Sequence, residues 1–508
     1  MNNKERIEFL VNRTLEKCLS WIKKDHNGFV IFEDPNDKKE ISAHYGATHA
    51  AAAFIIRGNS NKNEMLYLHG IELLKSILDR WAYSKKLPAY HFDFNNFALC
   101  AALPYIKEKD VSNRVRQIIL TTEDSNNPTI NWLPMRLYVN LCRKAWTGDE
   151  KYQQDAMRCM ANIKIATNND GGIEDRLPKG ISFNLQYDVS TIGILQYINC
   201  RGYDINFSKE LGFLLNAVAP DGDINYQGRG VNQIFAWSCW IYLLASIGKE
   251  DSLSLALSYV EKNILSMLAN NNMMLNKWDG SEKYLWWDYH YASVYTAHFL
   301  FWMVLALEDF RMNPIKEELI VDNTTGLNVL RNKDFFIVVF EGRKEYLAEK
   351  GPVITALWTK KYGMITKGSF APWQGAFGNN NIFEDIVLRN YFGLLKINQN
   401  FDFFKNKYIH KLMPSLETKA SLRIMPLFCP IMIDFIDGGI SITWTNKSSS
   451  QCILNLPSFT KAIRVEASVD NKPIQLNCVG SIRNQYDWMW IFQTQLFMGK
   501  KINIFIRG

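Results

Sequence analysis

The chain contains no Cys-x-x-Cys pair. Its nine cysteines (Cys18, Cys100, Cys142, Cys159, Cys200, Cys239, Cys429, Cys452 and Cys478) are odd in number and widely separated, which excludes a zinc ribbon or a dithiol redox motif. Most lie in apolar runs, where a thiol packs as a small hydrophobe. No apolar stretch reaches the roughly 20 residues that cross a bilayer, so membrane insertion is not expected. Residues 1–20 carry charges throughout and show no apolar core with a small-residue cleavage site, which predicts a cytoplasmic placement. Runs of Lys and Arg and zinc-knuckle spacings are also missing, so nucleic acid is not an expected partner. The net charge of +7 permits an anionic ligand without requiring one.

What is present describes a globular protein: 47% hydrophobic and 21% charged residues over 508 positions, enough for more than one domain. Aromatics reach 13%, with 15 Trp and 22 Tyr, and composition leaves open whether they fill cores or stack on sugars. The first part reads as about twelve helices, over 3–23, 46–57, 63–81, 94–107, 110–121, 131–147, 150–166, 185–201, 207–217, 231–247, 251–269 and 288–310. Odd-numbered helices carry Lys/Glu stripes, whereas even-numbered ones are apolar all round and belong in an interior. Alternating outer and inner helices predict six hairpins closed into an (α/α)6 toroid. An open superhelical array is the alternative, disfavoured because no repeated consensus occurs.

After about residue 318 the periodicity changes to two. Short β-branched and aromatic runs follow at 335–341, 353–360, 421–428, 431–437, 440–446 and 488–495, separated by Asp-Gly-Gly and Asn-rich turns. The expectation is an α+β multidomain chain, with a helical toroid over 1–318 and an antiparallel β-sandwich over 319–508 packed against it.

Six polar and aromatic clusters recur, each at the start of an inner helix: HYGATH (44–49), HFDFNN (91–96), NWLPMR (131–136), FNLQYD (183–188), GRGVNQ (228–233) and WWDYHY (286–291). Parallel inner helices would bring all six to one mouth. Helix N-termini there present unpaired N–H groups to an anion. Arg136 and Arg229 add charge with bidentate geometry for a carboxylate. Tyr187, Tyr289, Tyr291, Tyr295, His91 and His290 offer proton-transfer groups, while Trp132, Trp286 and Trp287 offer flat apolar faces. Asp93, Asn96 and Gln233 supply further hydrogen-bonding groups in the same clusters. An anionic poly- or oligosaccharide uses all of these, and is the expected partner.

Three segments extend the argument. DGGIEDRLPKGISFNLQYD (170–188), PDGDINYQGRGVNQIF (220–235) and YHYASVYTAH (289–298) resemble, in order and spacing, stretches of the heparinase II/III-like polysaccharide lyases. That group joins an α/α toroid to an antiparallel β-sandwich. The resemblance implies β-elimination of a uronic acid: a neutraliser quenches the carboxylate, a Tyr or His removes the C5 proton, and a Tyr protonates the leaving oxygen. Carried onto this chain, it implies Tyr187 as acid and base, Asn131 and Arg229 as neutralisers, and His290 as a second base. Asp188 stands where the family pattern has His, and is available to orient His290 or Arg229.

Other readings keep the fold. Asp93, Asp175 and Asp188 provide carboxylates for glycoside hydrolysis. A uronate C5-epimerase shares the proton abstraction, and a binding protein on the same scaffold needs no chemistry. Asn95, Asn96 and Asn131 fall where helix N-caps are expected, and His44 and His49 read as packing residues. Trp286 and Trp287 also suit a seam between domains, and Gly228 and Gly230 a turn. The spacing of Asp279 and Asp288 matches no metal loop, so neither metal nor cofactor is expected. The sequence leaves the oligomeric state open.

Overall fold

A computed structural model of the chain describes residues 1–84, 91–124, 127–179, 183–227, 234–269, 291–318, 324–340, 353–367, 378–379, 431–445, 452–458, 460–483, 488–496 and 499–507. Among them are twelve α-helices: α1 (Asn3–Ser20), α2 (Gly46–Ser60), α3 (Glu64–Ser84), α4 (Phe92–Ala102), α5 (Lys109–Thr121), α6 (Leu133–Thr147), α7 (Glu150–Ala166), α8 (Leu185–Asn199), α9 (Ser208–Ala217), α10 (Phe235–Ile247), α11 (Glu250–Ala269) and α12 (Ala292–Glu308).

Burial separates these into two kinds, as their sequences require. The odd helices bury one stripe: α5 turns in Val111, Val115 and Ile119, and α7 turns in Ala156, Cys159, Ile163 and Ala166. Every residue of α8 and α10 is buried, as are Ala50–Ile56 of α2. Contacts among the even helices run from α2 through α4, α6, α8 and α10 to α12, and return from α12 to α2. The odd helices lie outside this circuit, with α3 on α2, α7 on α6, α11 on α10 and α1 on α12.

Two local expectations are corrected. Helices α10 and α12 begin at Phe235 and Ala292, later than the periodicity from 231 and 288 predicts. Helix α1 ends at Ser20, and three short strands that the sequence did not announce follow it: β1 (Ile22–Lys24), β2 (Val30–Asp34) and β3 (Lys39–Glu40). They serve the helical part directly. Asp34 is fully buried, and its Oδ2 accepts from the Ser293 N–H and hydroxyl, both at 2.8 Å. A carboxylate thus caps the start of α12 from across the chain, where the helix dipole favours it.

Strands β4 (Leu327–Arg331), β5 (Phe335–Phe340), β6 (Val353–Thr359) and β7 (Gly363–Lys367) form one antiparallel sheet in sequence order. The later strands are β8 (Gly378–Asn379), β9 (Ile431–Ile436), β10 (Gly439–Thr445), β11 (Cys452–Ser458), β12 (Val465–Val469), β13 (Lys472–Ile474), β14 (Asn477–Arg483), β15 (Trp488–Leu496) and β16 (Lys501–Arg507). They make a five-stranded sheet in the order β13-β12-β16-β10-β9 and a four-stranded one in the order β14-β15-β11-β8. The predicted run 421–428 lies outside the described residues.

Strand β5 shows how the parts join. Its six residues are all buried, because both faces are covered. Phe336, Val338 and Phe340 belong to the helical core, while Phe335, Ile337 and Val339 pack with Ile440, Ile442, Ile502, Ile504 and Ile506 of the five-stranded sheet. On the helical side Phe340 meets Phe183 (6.2 Å between ring centres), which opens the fourth cluster, and Phe336 meets Tyr226 (6.0 Å), just ahead of the fifth.

Candidate functional site at the inner-helix N-termini

The inner-helix N-termini converge, and their rings form two rows. The more exposed row is an arc: Tyr291 lies 4.8 Å from His44, His44 stacks on His91 at 4.1 Å, and His91 stacks on Trp132 at 5.6 Å. These rings come from the starts of α12, α2, α4 and α6. Beneath them Tyr45 stacks on Phe94 at 4.3 Å, Phe94 meets Phe235 at 6.3 Å, and Phe235 stacks on His298 at 4.3 Å. Offset and edge-on ring contacts of this kind hold a wall rigid.

Three buried imidazoles here, His91, His49 and His298, are held towards the neutral form. Burial pushes His91 down to about 4, against the opposing effect of its bond to the Ala43 carbonyl. That bond (2.7 Å) fixes the tautomer: a carbonyl only accepts, so Nδ1 carries the proton and Nε2 the lone pair. His49, bonded to the Tyr45 carbonyl at 3.0 Å, is likewise pushed by burial to about 3. Burial, then the neighbouring His49, lowers His298 as well.

Asn131 stands apart. It sits in a 3₁₀ turn (Ile130–Trp132) that packs on both α6 and α8. It is 4% exposed, yet its side-chain oxygen has no hydrogen-bond partner among the described residues. The capping role anticipated for Asn131, Asn95 and Asn96 is corrected. Asn95 and Asn96 lie inside α4, where Asn95 accepts from the Thr48 hydroxyl at 2.6 Å and donates to the His91 carbonyl at 2.9 Å. Among the six inner helices only α8 is capped by the side chain of its own N-cap residue, Asn184 accepting from Gln186 N–H at 3.2 Å.

Arg136 and Asp93, both expected at the substrate, meet each other instead. Nε of Arg136 donates to Asp93 Oδ2 at 2.9 Å and Nη2 to the Asn127 carbonyl at 2.9 Å, with side chains 9% and 2% exposed. The pair locks α4 to α6. Stranding one buried charge typically costs about 3–5 kcal/mol. Arg136→Met is therefore expected to lower the unfolding free energy by about that much, with Asp93→Leu in the same chain restoring most of it. Urea denaturation of both variants checks this; an Arg136→Met protein as stable as wild type would return the arginine to the substrate.

Tyr187 and Asp188 occupy the first turn of α8, Tyr187 at 8% exposure. Burial pushes the Asp188 carboxyl well above the usual range, and the carboxylates of Glu210, Asp170 and Glu174 push it further. The Ile173 amide opposes this in part, from outside good hydrogen-bond geometry. The carboxyl thus lies beside the 170–174 segment and α9, where its protonated form is favoured, and the expected partners His290 and Arg229 lie outside the described residues. A carboxyl raised in the fold stabilises it below the unfolded value, near 4, and that contribution is lost as pH rises through the folded value. Asp188→Asn is expected to raise Tm at about pH 8 and to change it little at about pH 4, read by thermal melts.

His290, Arg229, Gln233, Trp286, Trp287 and Tyr289 lie outside the described residues, and Asn96 is buried within α4. His44 is the residue that sequence reasoning passed over, although a signal was there. His44-Tyr45, His91-Phe92 and His290-Tyr291 repeat one His-aromatic pair ahead of three inner helices. Among the described residues no three His, Cys, Asp or Glu side chains converge as metal ligands would, and no helix is long and apolar enough to cross a membrane.

No family model matches the sequence, and no curated protein matches it. Among solved structures the chain is similar to a polysaccharide lyase, with a TM-score of 0.42 and 12% identity over 59% of this chain and 97% of that one. It is similar to a family 88 glycosyl hydrolase from Bacteroides vulgatus, with a TM-score of 0.41 and 10% identity over 61% of this chain and 99% of that one. It is also similar to a family 76 α-1,6-mannanase from a Salegentibacter species, with a TM-score of 0.41 and 11% identity over 60% of this chain and 98% of that one.

Proposed function

We propose that the protein is a glycan-processing enzyme that cleaves a uronate-containing chain by β-elimination at the inner-helix mouth. The helical part (1–318) is read as an (α/α)6 toroid and the remainder (319–508) as a β-sandwich beside that mouth. One observation carries the reading: an arc of aromatic rings from four inner helices stands beside Asn131, a buried amide oxygen without a partner. Rings bind sugar faces, and an amide oxygen held unsatisfied in the fold is ready to accept from a sugar hydroxyl. The NH₂ group of the same amide stays free to donate to a substrate carboxylate.

In the proposed reaction the Asn131 amide N–H donates to the substrate carboxylate and spreads the charge that builds when C5 loses its proton. Tyr187, entering the reaction as its phenolate, takes that proton and becomes the phenol. The C4–O bond then breaks as the C4–C5 double bond forms, and the departing oxygen is protonated by the same phenol. Arg229 and His290, which share the clusters in sequence, are proposed as second neutraliser and second base. Hydrolysis finds less support, because Asp93 is held by Arg136 and Asp188 faces the 170–174 segment.

Incubation with a panel of uronate glycans tests the reading through ultraviolet absorbance of the unsaturated product and a reducing-end assay. New absorbance is expected. Reducing ends without absorbance would replace elimination by hydrolysis, and neither signal would leave epimerisation or binding alone.

A further inference from the structure

Residues 223–227 form a segment without regular structure in which all five residues are 0% exposed. A buried irregular segment has no ladder of its own, so its polar groups must find partners elsewhere in the fold. One of those partners comes from the β part. Lys367 on β7 is 1% exposed, and its ammonium is ion-paired with Asp223 Oδ2. Nζ also donates to the Tyr259 hydroxyl at 3.1 Å, which donates to the same Asp223 oxygen at 3.2 Å. Tyr259 is stacked on Trp237 of α10 at 5.0 Å and 7°.

From Asp223 the bonds continue towards the site. Its Oδ1 accepts from the Asn225 N–H at 2.8 Å, and the Tyr226 hydroxyl ties the segment to the Ala217 carbonyl at 2.6 Å. At the far end Gln227 Oε1 accepts from the Leu185 N–H at 3.0 Å, and its amide donates to the Phe183 carbonyl at 3.4 Å. Leu185 is the first residue of α8, two positions before Tyr187, and its N–H is one of the donors that a helix start leaves unmet.

We infer that Lys367 is a positioning residue: through the 223–227 strap the β part sets the first turn of α8, and with it Tyr187. The role of Tyr187 in this statement rests on the proposed function; the mechanical link does not. A buried ion pair is a poor way to gain stability over apolar side chains of similar size, but it admits one geometry.

Hydrogen–deuterium exchange on the full chain tests the link, with Lys367→Met and with Lys367→Met/Asp223→Asn, which strands no charge. In both variants exchange over 183–188 is expected to accelerate at least about tenfold, with the first turns of α4 and α6 unchanged. Acceleration confined to 353–367 and 219–227, or spread equally over all three first turns, would overturn the inference. So would wild-type protection at 183–188 in the double variant, because Lys367 would then only neutralise Asp223. If the single variant does not fold, the double variant decides.

Turnover of the best glycan from the panel gives a second readout. A displaced Tyr187 is expected to lower kcat about 10²-fold in the double variant with KM unchanged, since misplacement by an ångström costs about that much. Wild-type kcat in a double variant whose 183–188 exchange is fast would overturn the positioning role. A wild-type protein without turnover would sink the proposed reaction and leave the exchange result to judge the strap.

Discussion

Tyr187→Phe is expected to reduce β-elimination by about 10²–10⁴, the range for losing a group that transfers a proton in the transition state. Its ring is retained, so the packing that leaves Tyr187 8% exposed on α8 is retained too. Its backbone carbonyl, which accepts from Thr191 at 2.8 Å and Ser190 at 3.1 Å, is untouched. Tm should therefore stay within a few degrees of wild type. Initial rates of absorbance increase on the best substrate, with thermal melts on the same preparations, check both halves. Wild-type turnover from the Phe variant would remove Tyr187 from the chemistry and shift the base to His91 or His290.

Asn131→Ala should show the opposite pattern from a structural asparagine. Deleting a donor that stabilises charge developing in the transition state costs about 10²–10³ in rate, and kcat/KM is expected to fall by that much. Stability is expected to hold or rise. The Asn131 oxygen is buried without a partner, so the fold already bears its desolvation and loses no hydrogen bond with it. The informative failure is a variant that melts early and turns over normally, which would make Asn131 a packing residue. Arg136→Met provides the contrast, since its loss is predicted in stability rather than in rate.

The two kinds of prediction trace to two kinds of signal. The placement of Asn131, Trp132 and Tyr187 at inner-helix starts was legible, because helical phase brings such positions to one end. The roles of Arg136 and Asp188 were not legible. In sequence both are charged residues at the same mouth. In space one is neutralised by Asp93, 43 residues away, and the other lies among Glu210, Asp170 and Glu174. His44 was read as packing because a lone histidine on an apolar helix usually packs; its stacking on His91 becomes visible only when α2 and α4 are side by side.

By itself the sequence determined the layers, the change from helices to strands after α12 and the end of the helical part that carries the polar clusters. These are periodic, local consequences of burial, and a periodicity of 3.6 or 2 records which face of an element is covered. Tertiary structure alone decided which charges remain for a ligand and what sets the helix starts. Asp34 caps α12 across 259 residues and Lys367 holds Asp223 across 144. No local pattern encodes such pairings, because a buried charge takes whichever partner the packed elements bring within reach, and that choice is made by the fold.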